Sequence, residues 1–370
     1  MKFPKLKVES QDFLHLDCLR IIAAAGVMFF HFRSMLGFQL SELKGLTQFV
    51  DMFFAMSGVI ICHVYGEKIR SPATYGDFLK RRIARLGPLH WATLLFFAGL
   101  FLVASRLGAG LRHPEGAEWS CFVPNALFLH AFGMCHADTF NGVSWSLSAE
   151  MGAYLLFPAI LILLRKSRLA VLVAALAMIG VLFAIAPAWF DWMYNGGVLR
   201  AIPGFMLGVA FYSYRVELAR WIPSGAVYVL LAAFLVAVWF PVPRAALLVL
   251  AYLTVAAGVA ADGKPSGGVI HSIAPWGSLT FSVYMLHWPV KVILPVVMAK
   301  LHLQGLPAIL LAYAAMPAVF GLAYLSLFLF ETPARRWITR LQFPRLPRWP
   351  RRSRRAGGTG HVPTESPNEA

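Results

Sequence analysis

The chain has 370 residues, of which 59% are hydrophobic and only 14% charged, with a mean hydropathy of +0.66. A soluble protein carries about 25% charged residues, and here the apolar residues gather in blocks of around twenty, which excludes a soluble globular enzyme and reads as a polytopic membrane protein. The formal net charge of +16 is concentrated in a few loops and at both ends, as orientation determinants are, which argues against a nucleic-acid partner.

The N-terminal segment 1–13, MKFPKLKVESQDF, lacks the small-residue cleavage site of a signal peptide and is read as retained. About ten spans follow, at 14–36, 46–65, 86–105, 146–164, 169–189, 198–214, 226–241, 245–261, 277–299 and 307–330, each able to cross a hydrocarbon core of roughly 30 Å. The seventh and eighth are short, and only Pro241-Val242-Pro243-Arg244 separates them, so one of them is a candidate re-entrant segment. If ten spans alternate, one side collects Lys2, Lys5, Lys7, Lys68, Arg70, Lys80, Arg81, Arg82, Arg85, Arg165, Lys166, Arg168, Arg215, Arg220, Arg335, Arg336 and Arg340. The positive-inside rule makes that side cytoplasmic and puts both termini there. The segment 338–370 alternates Pro and Arg before becoming Gly/Ser/Thr/Pro-rich, a composition that reads as a disordered basic tail against an anionic leaflet.

The first span, LDCLRIIAAAGVMFFHF, is polar along one face. Arg20 and His31 are eleven residues apart, so their side chains point within roughly 20° of each other and stand roughly 16 Å apart along the axis. Asp17 lies one turn before Arg20. Ionisable groups at membrane depth are costly and mark function. Between them Ala23-Ala24-Ala25-Gly26 would let a helix or a ligand approach closely.

Further candidates follow in order. VDMFFAMSGVII places Asp51 near the outer surface and Ser57 within the membrane. FLKRRIARLGPLHW brings Arg82 and Arg85 to the start of the third span, as a bidentate phosphate clamp or as ordinary orientation charges. The outer loop 106–145 holds Cys121 and Cys135, where a disulfide and two thiols fit equally well, and His113, His130 and His136 show no recurrent ligand spacing, so no metal site is expected. VSWSLSAEMGAYLLFP carries Trp145, Ser146 and Glu150. Glu150 reads as a carboxylate at a helix N-terminus or as an acid/base group in the same half of the membrane as His31. YMLHWPV holds Tyr284 and His287 at membrane depth, and FETPARRW places Glu331 where it can pair with Arg335 at i, i+4.

These stretches, in this order over 14–337, resemble the acyltransferase-3 family of integral membrane O-acyltransferases, which acylate bacterial surface polysaccharides and some secondary metabolites. Cys18 stands where the family usually has Gly, and Ala149-Glu150-Met151 replaces the commoner Val-Glu-Glu. The resemblance implies an acyl-CoA donor, usually acetyl-CoA, from the cytoplasm of a bacterial cell. The implied acceptor is a hydroxyl on a glycan or lipid-linked saccharide at the outer face of the inner membrane. On that reading Arg20, Arg82 and Arg85 hold the CoA phosphates, the pantetheine arm lies along the small-residue face of the first span, and His31 serves as general base or forms an acyl-histidine. Glu150 orients the His31 imidazole or binds the acceptor, while Asp17, Asp51, Ser57, Trp145, Ser146, Tyr284 and His287 bind substrate or support the site. The alternative from another class is a proton-coupled secondary transporter, which also uses buried charges.

Overall fold

The computed structural model describes residues 4–8, 12–39, 43–106, 118–137 and 139–341. Among these every regular element is helical: α1 Leu14–Phe32, α2 Phe49–Tyr65, α3 Pro72–Arg106, α4 Phe122–Ala126, α5 Trp145–Lys166, α6 Arg168–Ile185, α7 Gly197–Ser213, α8 Arg215–Trp221, α9 Ala226–Ala237, α10 Arg244–Asp262, α11 Gly268–Ile273, α12 Thr280–Lys300, α13 Leu306–Ser326 and α14 Thr332–Arg340. Lys2, His113 and the tail from 342 onward lie outside the described residues. The side of the bundle on which α1 begins is called the near face below, and the opposite side the far face.

Eight helical segments among the described residues are long and apolar enough to cross a membrane. Two further expected spans fall outside these eight, the sixth at its expected length of 17 residues and the seventh cut short. One is α7, with 17 residues; the other is the pair α8 and α9, bent by 87°. With 12 residues, α9 rises only about 18 Å, so the seventh span reaches part-way while α10 crosses in full. The third span also needs correcting. It begins at Pro72 rather than 86 and runs 35 residues, about 52 Å, so its first turns project from the near face. Arg82 and Arg85 therefore stand on a continuous helix and not in a loop. At the C-terminal end α14 runs to Arg340, past the expected boundary at 337.

Two close contacts fix the centre of the bundle. At the crossing of α2 and α7, a Cβ on Gly58 would lie 2.1 Å from the Phe205 carbonyl oxygen, and one on Gly208 would lie 1.9 Å from that of Ala55. Only glycines allow the backbones this close, the small-residue packing that membrane helices use where no hydrophobic force drives them together. On α1, Gly26 receives the Phe49 ring, whose Cε2 would be 2.3 Å from an added Cβ. Ala23 and Ala24 are fully buried against neighbouring helices. The expected channel along Ala23–Gly26 is therefore filled by protein.

Buried polar groups pin the helix ends. Asp262, closing α10, accepts from the backbone N–H groups of His15 and Leu16 at 2.6 and 3.1 Å and from the His15 ring at 2.8 Å. This satisfies donors that the first turn of α1 leaves open and sets a carboxylate at its positive end. On the far side Arg200 donates to both Asp51 oxygens at 3.0 and 2.8 Å, and neither side chain is more than 3% exposed. Above them Arg244, opening α10, donates to Asp191 at 2.7 Å and to Thr47 at 3.1 Å. In the far-side loop Cys121 and Cys135 form a disulfide with their Cα atoms 5.7 Å apart.

Candidate active site

A cavity of about 450 Å³ opens between α2, α3, α5 and α12. Its near-face wall carries four guanidinium groups: Arg20 from α1, Arg82 and Arg85 from α3, and Arg335 from α14. Arg20 donates to Asp17 at 3.0 Å, one turn earlier on the same helix. Arg82 donates to the Tyr65 hydroxyl at 3.1 Å and stacks over that ring at 5.2 Å, while its buried Nε has no partner. A buried nitrogen with an unused proton is expensive unless something else accepts from it.

Arg335 reaches this wall because the chain takes a π-helical turn at Leu327–Glu331. Such a turn inserts a residue and rotates everything after it. Within it Glu331 accepts from Ser282 and Ser326, each at 2.6 Å, which ties the turn to α12.

Midway along the cavity sits a carboxylate network. Ser57 donates to Glu150 Oε1 at 2.5 Å, the Tyr154 hydroxyl donates to the same oxygen, and the two hydroxyls are 3.2 Å apart. Glu150 and Tyr154 are four residues apart on α5, and Ser57 faces them from α2, held there by the Gly58–Gly208 crossing. At the far end Ser146 donates to the Tyr284 hydroxyl at 2.8 Å, which donates to the Val143 carbonyl at 3.1 Å. The Tyr284 ring meets Phe53 at 5.9 Å, and both line the cavity. The pair forms its floor.

His31 lies beyond that floor. Its ring stacks on His287 at 5.2 Å, meets Trp288 edge-on at 4.9 Å and touches Phe30 at 5.1 Å. Tyr284 is 5.8 Å from His287 and so links the cavity to the histidine pair. His287 Nδ1 donates to the Val283 carbonyl at 3.2 Å, so the lone pair of the neutral ring is at Nε2, which is buried without a partner.

The expected residues therefore fall into three groups. Arg20, Arg82 and Arg85 meet at the near mouth, with Asp17 steadying Arg20. Ser57, Glu150, Ser146 and Tyr284 line the passage. His31 and His287 pair beyond it. The suggested contact between Glu150 and His31 is absent among the described residues, because Glu150 is engaged by Ser57 and Tyr154. Asp51 and Trp145 serve the framework: Asp51 is held by Arg200, and the Arg200 guanidinium lies 5.1 Å over the Trp145 ring. In the far-side loop His130 bonds Ser144 at 3.2 Å and stacks on His90, and His136 pairs with Glu118 at 3.0 Å. No group of three or more His, Cys, Asp or Glu that could hold a metal occurs among the described residues.

Arg200, Tyr65, Tyr154 and Lys291 escaped the reading of the sequence. Arg200 gave a signal, a charge inside an apolar run, but it stands two residues after the predicted start of its span and passes for a boundary residue. The two tyrosines look like ordinary membrane aromatics until their partners are known.

Comparison with known proteins bears on this geometry. Residues 13–328 match the Acyl_transf_3 family model, described as an acyltransferase domain. The chain is 36% identical over 99 residues to "Protein 2 in picA locus" of Rhizobium radiobacter, a stretch that is 26% of this chain and 50% of that protein. It is 33% identical over 119 residues to "Acyltransferase MdmB" of Streptomyces mycarofaciens, covering 32% of this chain and 29% of the relative. The chain thus spans half or less of the length of these curated relatives. No solved structure matches it.

Proposed function

The chain belongs to the acyltransferase-3 family of membrane O-acyltransferases, and from that membership we propose that it carries an acyl group from cytoplasmic acyl-CoA to a glycan hydroxyl at the far face. The observation that carries the proposal is the cavity itself, ringed by arginines at one end and closed at the other by Tyr284 against the His31–His287 stack. Transporter chemistry, which buried charges alone would equally suit, is set aside by the family match.

Arg20, Arg82, Arg85 and Arg335 suit the phosphates of CoA. Guanidinium groups grip phosphate bidentately, and the unpartnered Nε of Arg82 leaves a donor for one. With the small-residue face of α1 filled, the pantetheine arm runs instead along Ser57, Glu150 and Tyr284. His31 removes the acceptor's hydroxyl proton, and the alkoxide oxygen bonds to the thioester carbonyl carbon. The C–S bond then breaks, and the imidazolium returns its proton to the CoA thiolate. Acetyl-CoA is the donor the resemblance implies, and a surface polysaccharide or lipid-linked saccharide the acceptor. Orientation with both termini in the cytoplasm of a bacterial inner membrane follows from the basic near face. The Cys121–Cys135 disulfide supports it, since disulfides persist on the oxidising side of such a membrane.

The test is label transfer from [14C]acetyl-CoA to extracted surface glycan by the protein in nanodiscs. His31→Ala is expected to abolish transfer at unchanged protein level. Arg82→Gln is expected to raise the KM for acetyl-CoA at least about tenfold, the worth of one charge-assisted bond. Near-wild-type transfer by His31→Ala would refute the assignment.

A further inference from the structure

Lys291 has no role in the account above, yet it is placed where a charge is least tolerated. It stands midway along α12, nine residues before the helix ends at Lys300, roughly 14 Å from that end, and it is half-buried. An ionisable side chain at such depth usually faces a wet cavity and serves a ligand or a partner charge. Two other cations of the far half are matched by carboxylates, Arg200 by Asp51 and Arg244 by Asp191. Among the described residues Lys291 makes no hydrogen bond or ion pair. Its ammonium instead lies 4.3 Å from the centroid of the Trp288 ring, the same ring that His31 meets edge-on at 4.9 Å.

The other flank of His31 repeats the arrangement. Phe30 touches the imidazole at 5.1 Å, and the Arg33 guanidinium lies 3.9 Å over the Phe30 ring while donating to the Phe30 carbonyl at 2.6 Å. His31 thus sits between two aromatic rings, each carrying a cation. It is half-buried and stands just behind the cavity floor, separated from the arginine-ringed space by Tyr284 and His287. Trp288 is braced from behind, because a Cβ on Gly142 would lie 2.7 Å from its Cζ2, and Asn141 donates to the Met285 carbonyl at 3.2 Å, fixing that loop to α12. An indole held rigid beside a reactive imidazole offers a stacking surface to a sugar ring, and an unmatched ammonium on it offers a site for a negative charge.

Resting on the transfer reading above, we propose that Trp288 and Lys291 form the acceptor subsite and select an anionic saccharide, with Lys291 as the specificity-determining cation. The anion is a carboxylate on the sugar or the phosphate of a lipid-linked one. Both satisfy an ammonium in the same way.

Surface glycan extracted from the producing cells and de-O-acylated is used as acceptor in three forms: intact, carboxyl-reduced, and freed of phosphate by mild acid. Label from [14C]acetyl-CoA is followed with the wild type, Lys291→Met and Lys291→Arg in nanodiscs. The wild type is expected to lose at least tenfold in acceptor KM with one of the two treatments, which identifies the anion. Lys291→Met should show that same weakened KM toward intact glycan, with the KM for acetyl-CoA unchanged, and Lys291→Arg should stay within about threefold of the wild type. Wild-type affinity should also weaken with salt, and that of Lys291→Met should not. Equal KM values for all three glycans, or a wild-type acceptor KM in Lys291→Met, would overturn the proposal while leaving the transfer reading intact. Label transfer that does not depend on His31 would overturn the transfer reading itself.

Discussion

Replacing Gly208 by Ala tests the packing that positions the site. The new Cβ would lie 1.9 Å from the Ala55 carbonyl oxygen where ordinary contact begins at 3.4 Å, a shortfall of about 1.5 Å. Backbone cannot rotate aside as a flexible side chain does, so α2 and α7 must part. Overpacking of this kind costs up to about 3 kcal/mol, of which about 1 kcal/mol is returned by the better helix propensity of Ala. The net loss is about 2 kcal/mol. Gly180 on α6 is the matched control, since nothing lies within 4 Å of an added Cβ there, and Gly180→Ala should be neutral or stabilising by up to about 1 kcal/mol. Fluorescence-detected thermal unfolding in detergent should therefore separate two chemically identical substitutions by several degrees, with Gly208→Ala lower. Ser57 neighbours the displaced crossing, so Gly208→Ala should also weaken its 2.5 Å bond to Glu150 and reduce transfer. A Gly208→Ala protein melting at or above Gly180→Ala would refute the reasoning.

The buried Asp51–Arg200 pair should behave as a unit: Arg200→Met alone leaves a carboxylate stranded and costs about 3–5 kcal/mol, whereas Asp51→Leu with Arg200→Met recovers most of it. Apparent melting temperatures of the two single variants and the double variant check this, and additive losses would contradict it. Glu150→Gln removes the negative charge from the cavity wall while keeping acceptor geometry toward Ser57 and Tyr154. A neutral amide oxygen accepts from Ser57 and Tyr154 more weakly than a carboxylate and loosens the passage that holds the pantetheine arm, away from His31, so the expected effect is about a tenfold rise in the KM for acetyl-CoA, read by steady-state kinetics; a change confined to kcat would argue that Glu150 acts at the reacting atoms. Opening the Cys121–Cys135 disulfide, which closes a loop of 14 residues in sequence, should cost the far-side loop up to about 3 kcal/mol. Hydrogen exchange of residues 118–137 in Cys121→Ser/Cys135→Ser should rise, and unchanged protection would show that packing alone holds the loop.

The primary sequence by itself determined the membrane class and the all-helical fold, and it named several of the residues that the structure brings to one cavity. These rest on local properties, since apolar block length follows from the bilayer's thickness and the Arg20–His31 spacing from the helical repeat. Shortfalls in span length and position came from helices that a hydropathy block cannot describe. The polar first turns of α3 start at a local cap, Ser71 accepting from the Thr74 N–H with Pro72 between them, which a hydropathy block does not register, and α9 is short, following α8 across a bend of 87°. Assembly of the site belongs to tertiary structure alone. Glu150 was legible as a carboxylate at the start of an apolar run, but only the α2–α7 crossing brings Ser57 to it, and only the π-helical turn aims Arg335 at the cavity wall. His31 was legible from its spacing; that His287, and not Glu150, lies against it depends on the packing of α12 on α1, between residues 256 positions apart. Contacts over such separations are set by the burial of whole helix faces, and no local pattern encodes them.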